Sequence, residues 1–112
     1  MEKDFVVCGW KSEGLGTIDS GSVEVFAMRN FSNYRISLTN LKPSEEFHGK
    51  MRLGYIFVQS GEIEIQIMEE KITLDKDKFI RFKGGYYSVR SLSNDNILIF
   101  TVLEIPKGIK QN

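Results

Sequence analysis

The sequence predicts an all-β domain of roughly eight to ten short strands arranged as a sandwich or barrel. Three observations carry that expectation. The 112 residues include eight Phe and many Ile and Val but a single alanine, Ala27. Branched and aromatic side chains suit a pleated surface, whereas alanine favours helices. Short apolar runs bounded by turn residues recur from Val23 to Leu103. No stretch of twelve residues shows a helical period.

The elements follow in order. Phe5-Val6-Val7 is a short apolar run that reads as an edge strand. Gly9 to Gly21 is rich in Gly and Ser and reads as a loop or arm. Its Gly14-Leu15-Gly16 lacks the later glycine and the helix that a phosphate loop needs. Val23 to Met28 reads as the first barrel strand, and Tyr34 to Thr39 as the next. Leu41-Lys42-Pro43-Ser44 is a turn, because proline fixes φ and serine tolerates turn geometry. Gly54 to Val58 is a continuous apolar strand. Glu62 to Ile67 alternates strictly, with an Ile face and a Glu/Gln face. Lys71 to Leu74, Lys78 to Phe82, Tyr86 to Arg90 and Ile97 to Leu103 complete the set. The expected organisation is an N-terminal arm or edge strand over residues 1–22, a barrel over 23–106 and a short polar tail over 107–112.

Composition excludes several kinds of chemistry. Fifteen basic and fifteen acidic residues leave net charge zero, which gives no general attraction to nucleic acid or anionic membranes. One cysteine, Cys8, cannot form an intramolecular disulfide, so an intracellular, reducing setting is expected. One Cys and one His, His48, cannot build a His/Cys metal cluster. No apolar run approaches the ~20 residues of a membrane helix. Met1-Glu2-Lys3-Asp4 lacks the apolar core of a signal peptide. A Gly-x-Ser-x-Gly elbow is absent. Glu62 and Glu64 share a strand face, but the opposite Ile face marks theirs as the wet one. Glu45-Glu46 and Glu69-Glu70 sit beside turns. Nothing next to Cys8 in sequence would lower a thiol pKa. Arg81, Lys83 and Arg90, near Tyr86 and Tyr87, are candidates for contact with an acidic peptide or a single nucleic-acid strand.

Two strands are too apolar for a one-sided sheet. Gly54 to Val58 and Ile97 to Leu103 carry apolar side chains on both faces. One face fills the core; the other needs cover from a second chain or from Phe5 to Trp10 folding back. A symmetric dimer is the common solution.

The order of signals from Leu41 to Glu104 resembles the cupin superfamily, a small jelly-roll barrel. Its first motif is G-x5-H-x-H-x3,4-E-x6-G. Anchored on Gly61, the Glu position falls at Gly54 and the His positions at His48 and Lys50. The second motif is G-x5-P-x-G-x2-H-x3-N. Anchored on Gly84, its first Gly falls at Lys76, its Pro at Phe82, its His at Tyr87 and its Asn at Ser91. Of the four metal-ligand positions only His48 keeps a ligand, so the resemblance implies a cupin with no metal, no cofactor and no usual enzymatic activity. An ammonium at Lys50 would repel a cation, and glycine offers no donor.

The stretch from Phe79 to Ser91, with Tyr55 to Gly61, is similar to the C-terminal cupin domain of centromere protein C. That family reads F-x-V-P-x-G-N-x-Y-x-I-x-N at this point. The resemblance implies a homodimerisation module whose partner is a second copy, with kinetochore or chromatin-associated proteins as further partners and the nucleus and centromere as its location. No direct nucleic-acid or membrane contact is implied. A small-molecule cupin with an open pocket, of the sugar-binding or enzymatic kind, is the alternative, and a nucleic-acid-binding barrel a third. Strand alternation then assigns Ile56, Val58, Tyr87 and Val89 to the barrel interior. Tyr55, Phe57, Leu98, Phe100 and Val102 become the expected dimer interface.

Overall fold

The computed structural model describes residues 5–51 and 53–105. The expected tail at 107–112 lies outside the described residues. Among the described residues, nine strands form two antiparallel sheets. The five-stranded sheet has the order β1 (Phe5–Gly9), β7 (Lys78–Phe82), β4 (Gly54–Val58), β9 (Ile97–Glu104), β2 (Tyr34–Leu41). The four-stranded sheet runs β3 (Glu46–Met51), β8 (Gly85–Ser91), β5 (Ile63–Ile67), β6 (Glu70–Leu74). The inner faces meet in a dry core that includes Leu41, Ile56, Val58, Ile63, Ile65, Leu74, Ile80, Phe82, Val89, Ile97 and Ile99. All eleven are at most 1% exposed. The expected jelly roll is present, and Ile56, Val58, Tyr87 and Val89 all lie in this core.

Two expectations need correction. Val23 to Met28 is not a strand but the middle of helix α1 (Ser20–Asn30). Asp19 accepts a hydrogen bond from the Ser22 N–H at 2.8 Å, and the Ser22 hydroxyl accepts one from the Asp19 N–H at 2.9 Å. This capping box satisfies two donors at the start of the helix. Val23, Phe26 and Ala27 are buried and share one face at helical spacing. The chain's one alanine is fully buried here. The helix has eleven residues, about three turns.

The second correction concerns the outer face of the five-stranded sheet. This face is covered from within the chain. Trp10, Ile18, Val23, Phe26 and Ala27 pack on Tyr55, Phe57, Phe79, Phe100 and Val102. Phe26 stands edge-on to Tyr55, Phe57 and Phe79 at centroid distances of 4.8, 5.3 and 5.2 Å. Trp10 meets Phe57 at 5.5 Å and Phe79 at 5.9 Å. Tyr55, Phe57, Phe100 and Val102 are therefore buried in one chain and unavailable to a partner. Leu98 is half-buried. Cover comes from Trp10 and the helix together, so much of residues 5–22 is integral to the fold rather than a free arm.

Candidate functional site

The resemblance places the cupin ligand positions in the barrel interior. Backbone register decides which residues reach it. On β3, Glu46, His48 and Lys50 are exposed, whereas Phe47 and Gly49 are half-buried. Phe47 packs against the inner core. The expected placement of ligand positions at His48 and Lys50 is thus corrected by one residue. Strand alternation turns both outward. The longer spacing the first motif allows, four residues before the Glu position, puts the inward pair at Phe47 and Gly49. Gly54 is buried on β4 and Tyr87 on β8, both on the inner side. The inward-facing counterparts of the four motif positions are therefore Phe47, Gly49, Gly54 and Tyr87. None carries a nitrogen or carboxylate donor in its side chain.

Tyr87 occupies the space that ligands would need. It lies directly across from Gly49 in the β3–β8 ladder. A Cβ built on Gly49 would sit 2.5 Å from the Tyr87 hydroxyl oxygen and 2.6 Å from Cζ. The ring also contacts Phe82 at 5.5 Å and Phe47 at 6.3 Å, edge-on in both cases. A glycine inside a strand leaves a gap, and an aromatic ring laid over it from the neighbouring strand fills that gap. Among the described residues no group of three or more His, Cys, Asp or Glu could hold a metal ion.

Burial pushes the Tyr87 phenol above its ordinary pKa. The sign for stability follows directly. An unfolded tyrosine ionises near pH 10, while the folded one keeps its proton to higher pH. Stability is intact below pH ~10 and falls as pH rises toward the folded value. Tyr87→Phe is expected to make the alkaline fall shallower, read as denaturation midpoints across pH 8 to 11 or so. A curve parallel to wild type would show that Tyr87 does not contribute. Tyr55 is also shifted upward by burial, with the Arg81 guanidinium partly offsetting it, so it remains as background in both proteins.

The remaining candidates are dispersed. The side chain of His48 is 78% exposed, and its Nε2 lies 3.5 Å from Glu46. The Lys50 ammonium sits 5.2 Å from the centroid of the Tyr86 ring. Across the outer face of the small sheet run two polar rows, Glu46–Arg90–Glu64 and His48–Ser88–Gln66–Lys71. Arg90 bonds Glu64 at 3.1 Å, an exposed pair worth at most ~1 kcal/mol. A shallow cleft of about 410 Å³ lies over Glu46, His48, Gly49, Gln66, Met68, Tyr86, Tyr87 and Ser88, so it borders the Tyr87–Gly49 pair. Arg81 is on the five-stranded sheet and Arg90 on the four-stranded one, so the basic trio does not form one cluster. Glu62 precedes β5 and its N–H donates to Ser93 Oγ at 2.9 Å. The Cys8 thiol is half-buried, and burial first, then Glu13, raises its pKa, against the opposing pull of Arg81. It is a poor nucleophile.

No protein-family model matches the chain, and no curated protein does. Among solved structures it is similar to the 1.9 Å crystal structure of a Cupin_2 domain from an XRE family transcriptional regulator of Enterobacter cloacae. The identity is 19%, the TM-score 0.61, and the likeness covers 94% of this chain and 100% of that one. The two antiparallel sheets and this match together establish the architecture: the chain has the cupin fold, with helix α1 lying over one outer face.

Proposed function

We propose that this cupin works by bringing copies of itself together rather than by catalysis. The observation that carries the reading is the Tyr87 ring laid across Gly49, in the space where cupin ligands converge. The Tyr87 ring takes up the space over Gly49, and Phe47, Gly49, Gly54 and Tyr87 supply no nitrogen or carboxylate side-chain donor for a metal. The similarity of Phe79 to Ser91 to the centromere protein C cupin supports the same role. Under that likeness the paired copies would act at the kinetochore, in the nucleus. The Enterobacter neighbour is a cupin domain belonging to a transcriptional regulator. Pairing doubles valency and so raises effective concentration at a multivalent target.

Light scattering coupled to size exclusion is expected to return about twice the 12.9 kDa chain mass. A single-chain mass across the micromolar range would sink the reading. A small-ligand role rests on the 410 Å³ cleft beside Tyr86. A stoichiometric small molecule retained in native mass spectrometry would favour that role instead.

A further inference from the structure

With Tyr55, Phe57, Phe100 and Val102 covered internally, self-association needs another surface. The two sheets present four edge strands, β1, β2, β3 and β6. Soluble proteins guard such edges with charge, proline or bulges, because their unpaired N–H and C=O groups invite another strand. Three of the four are guarded in this way. β2 contains Arg35, β3 contains Glu46, His48 and Lys50, and β6 contains Glu70 and Lys71. β1 reads Phe-Val-Val-Cys-Gly, with no charge and no proline. Its Val6 and Val7 are 47% and 41% exposed.

The ladder tells which backbone groups of β1 point outward. The Trp10 N–H donates to the Asp77 carbonyl at 2.8 Å, continuing the β1–β7 register. Residues in an antiparallel pair alternate between facing the partner strand and facing away. Val6 and Cys8 therefore face β7, and Val7 and Gly9 face outward. The Gly9 carbonyl agrees: it accepts a bond from Ser12 Oγ at 3.1 Å on that outer side.

We infer that β1 pairs with β1 of a second copy, antiparallel about a two-fold axis at Val7, joining two five-stranded sheets into one of ten. This rests on the self-association proposed above and names its surface. In that register the two Val7 residues exchange N–H···O bonds, as an isologous contact requires. On one face Val7 meets Val7 of the second copy. On the other, Val6 of each copy meets Cys8 of the other. An unrelated peptide could use the same edge, but a short apolar strand with its outward amide at its centre is self-complementary.

The test uses the whole chain. Val7→Pro removes the central donor, and Val7→Lys places a charge at the axis. Both variants are expected to keep the wild-type far-ultraviolet spectrum and to halve the mass from light scattering to that of one chain. A wild-type protein that never exceeds one chain mass overturns both the reading and this inference. A dimeric wild type with variants that stay dimeric overturns the inference alone, and monomerisation by Leu38→Glu or Met28→Glu would then place the contact near the helix. Because Val7→Pro can unfold an edge, amide exchange on unaltered protein gives a second measure. Exchange at the Val7 amide is expected to slow several-fold as concentration rises into the dimeric range. An unchanged rate while the mass doubles overturns the inference.

Discussion

Phe26→Ala is expected to destabilise the protein by ~3–5 kcal/mol, the usual range for removing a buried Phe. Against a total of ~5–15 kcal/mol for a domain, that is a large share. Phe26 is 3% exposed and is the only aromatic residue of α1. It holds edge-on contacts to Tyr55, Phe57 and Phe79 together. Its loss opens a cavity beneath the helix and loosens the cover of a wholly apolar strand face. Urea denaturation checks the magnitude, with dye binding to exposed apolar surface as a second readout. Val25→Ala on the solvent side, at 40% exposure, serves as control and should change stability little. A Phe26→Ala loss no larger than the control's would mean that the helix is not what closes this face.

Gly49→Val should cost ~1–3 kcal/mol through overpacking. Even the Cβ would press on the Tyr87 phenol, and that ring is flanked by Phe82 and Phe47. The informative measurement is a double-mutant cycle with Tyr87→Ala. Gly49→Val in the Tyr87→Ala background should be much cheaper, giving a coupling of ~0.5–3 kcal/mol. Additive losses would show that Tyr87 does not occupy the space over Gly49, and the filled-interior reading would lose its main support.

Much of the barrel was legible because side-chain alternation is a local property. Ile63, Ile65 and Ile67 alternate with Glu64 and Gln66, and the inward face follows without any tertiary knowledge. The turn expected at Leu41 to Ser44 is present one residue later, over Lys42 to Glu45, with Ser44 at φ 63° and a Glu45 N–H bond to the Lys42 carbonyl, while Leu41 closes β2. Helix α1 replaces the expected strand because the strand propensity of Val23, Val25 and Phe26 is a weak prior that the capped start and tertiary packing override. The usable signal was Asp19 as a cap, followed by Val23, Phe26 and Ala27 at spacings of three and one. β3 was not expected as a strand at all. Its inner face is Phe47 and Gly49, and the Tyr87 ring that covers the glycine comes from the paired strand β8, which no local pattern in residues 46–51 announces.

From the sequence alone came an all-β domain with few candidate ligands, because composition, turn residues and period are written residue by residue; the cupin order was implied only by the resemblance to that superfamily's motifs. The sequence also showed that Gly54 to Val58 and Ile97 to Leu103 each needed cover on a second face. What supplied that cover was decided only in three dimensions. Burial depends on contacts between Trp10, Phe26 and strands dozens of positions away, and no local pattern specifies them. The same holds for His48: a one-residue choice of register turns a candidate ligand from the interior to solvent, and only the paired strands fix that choice.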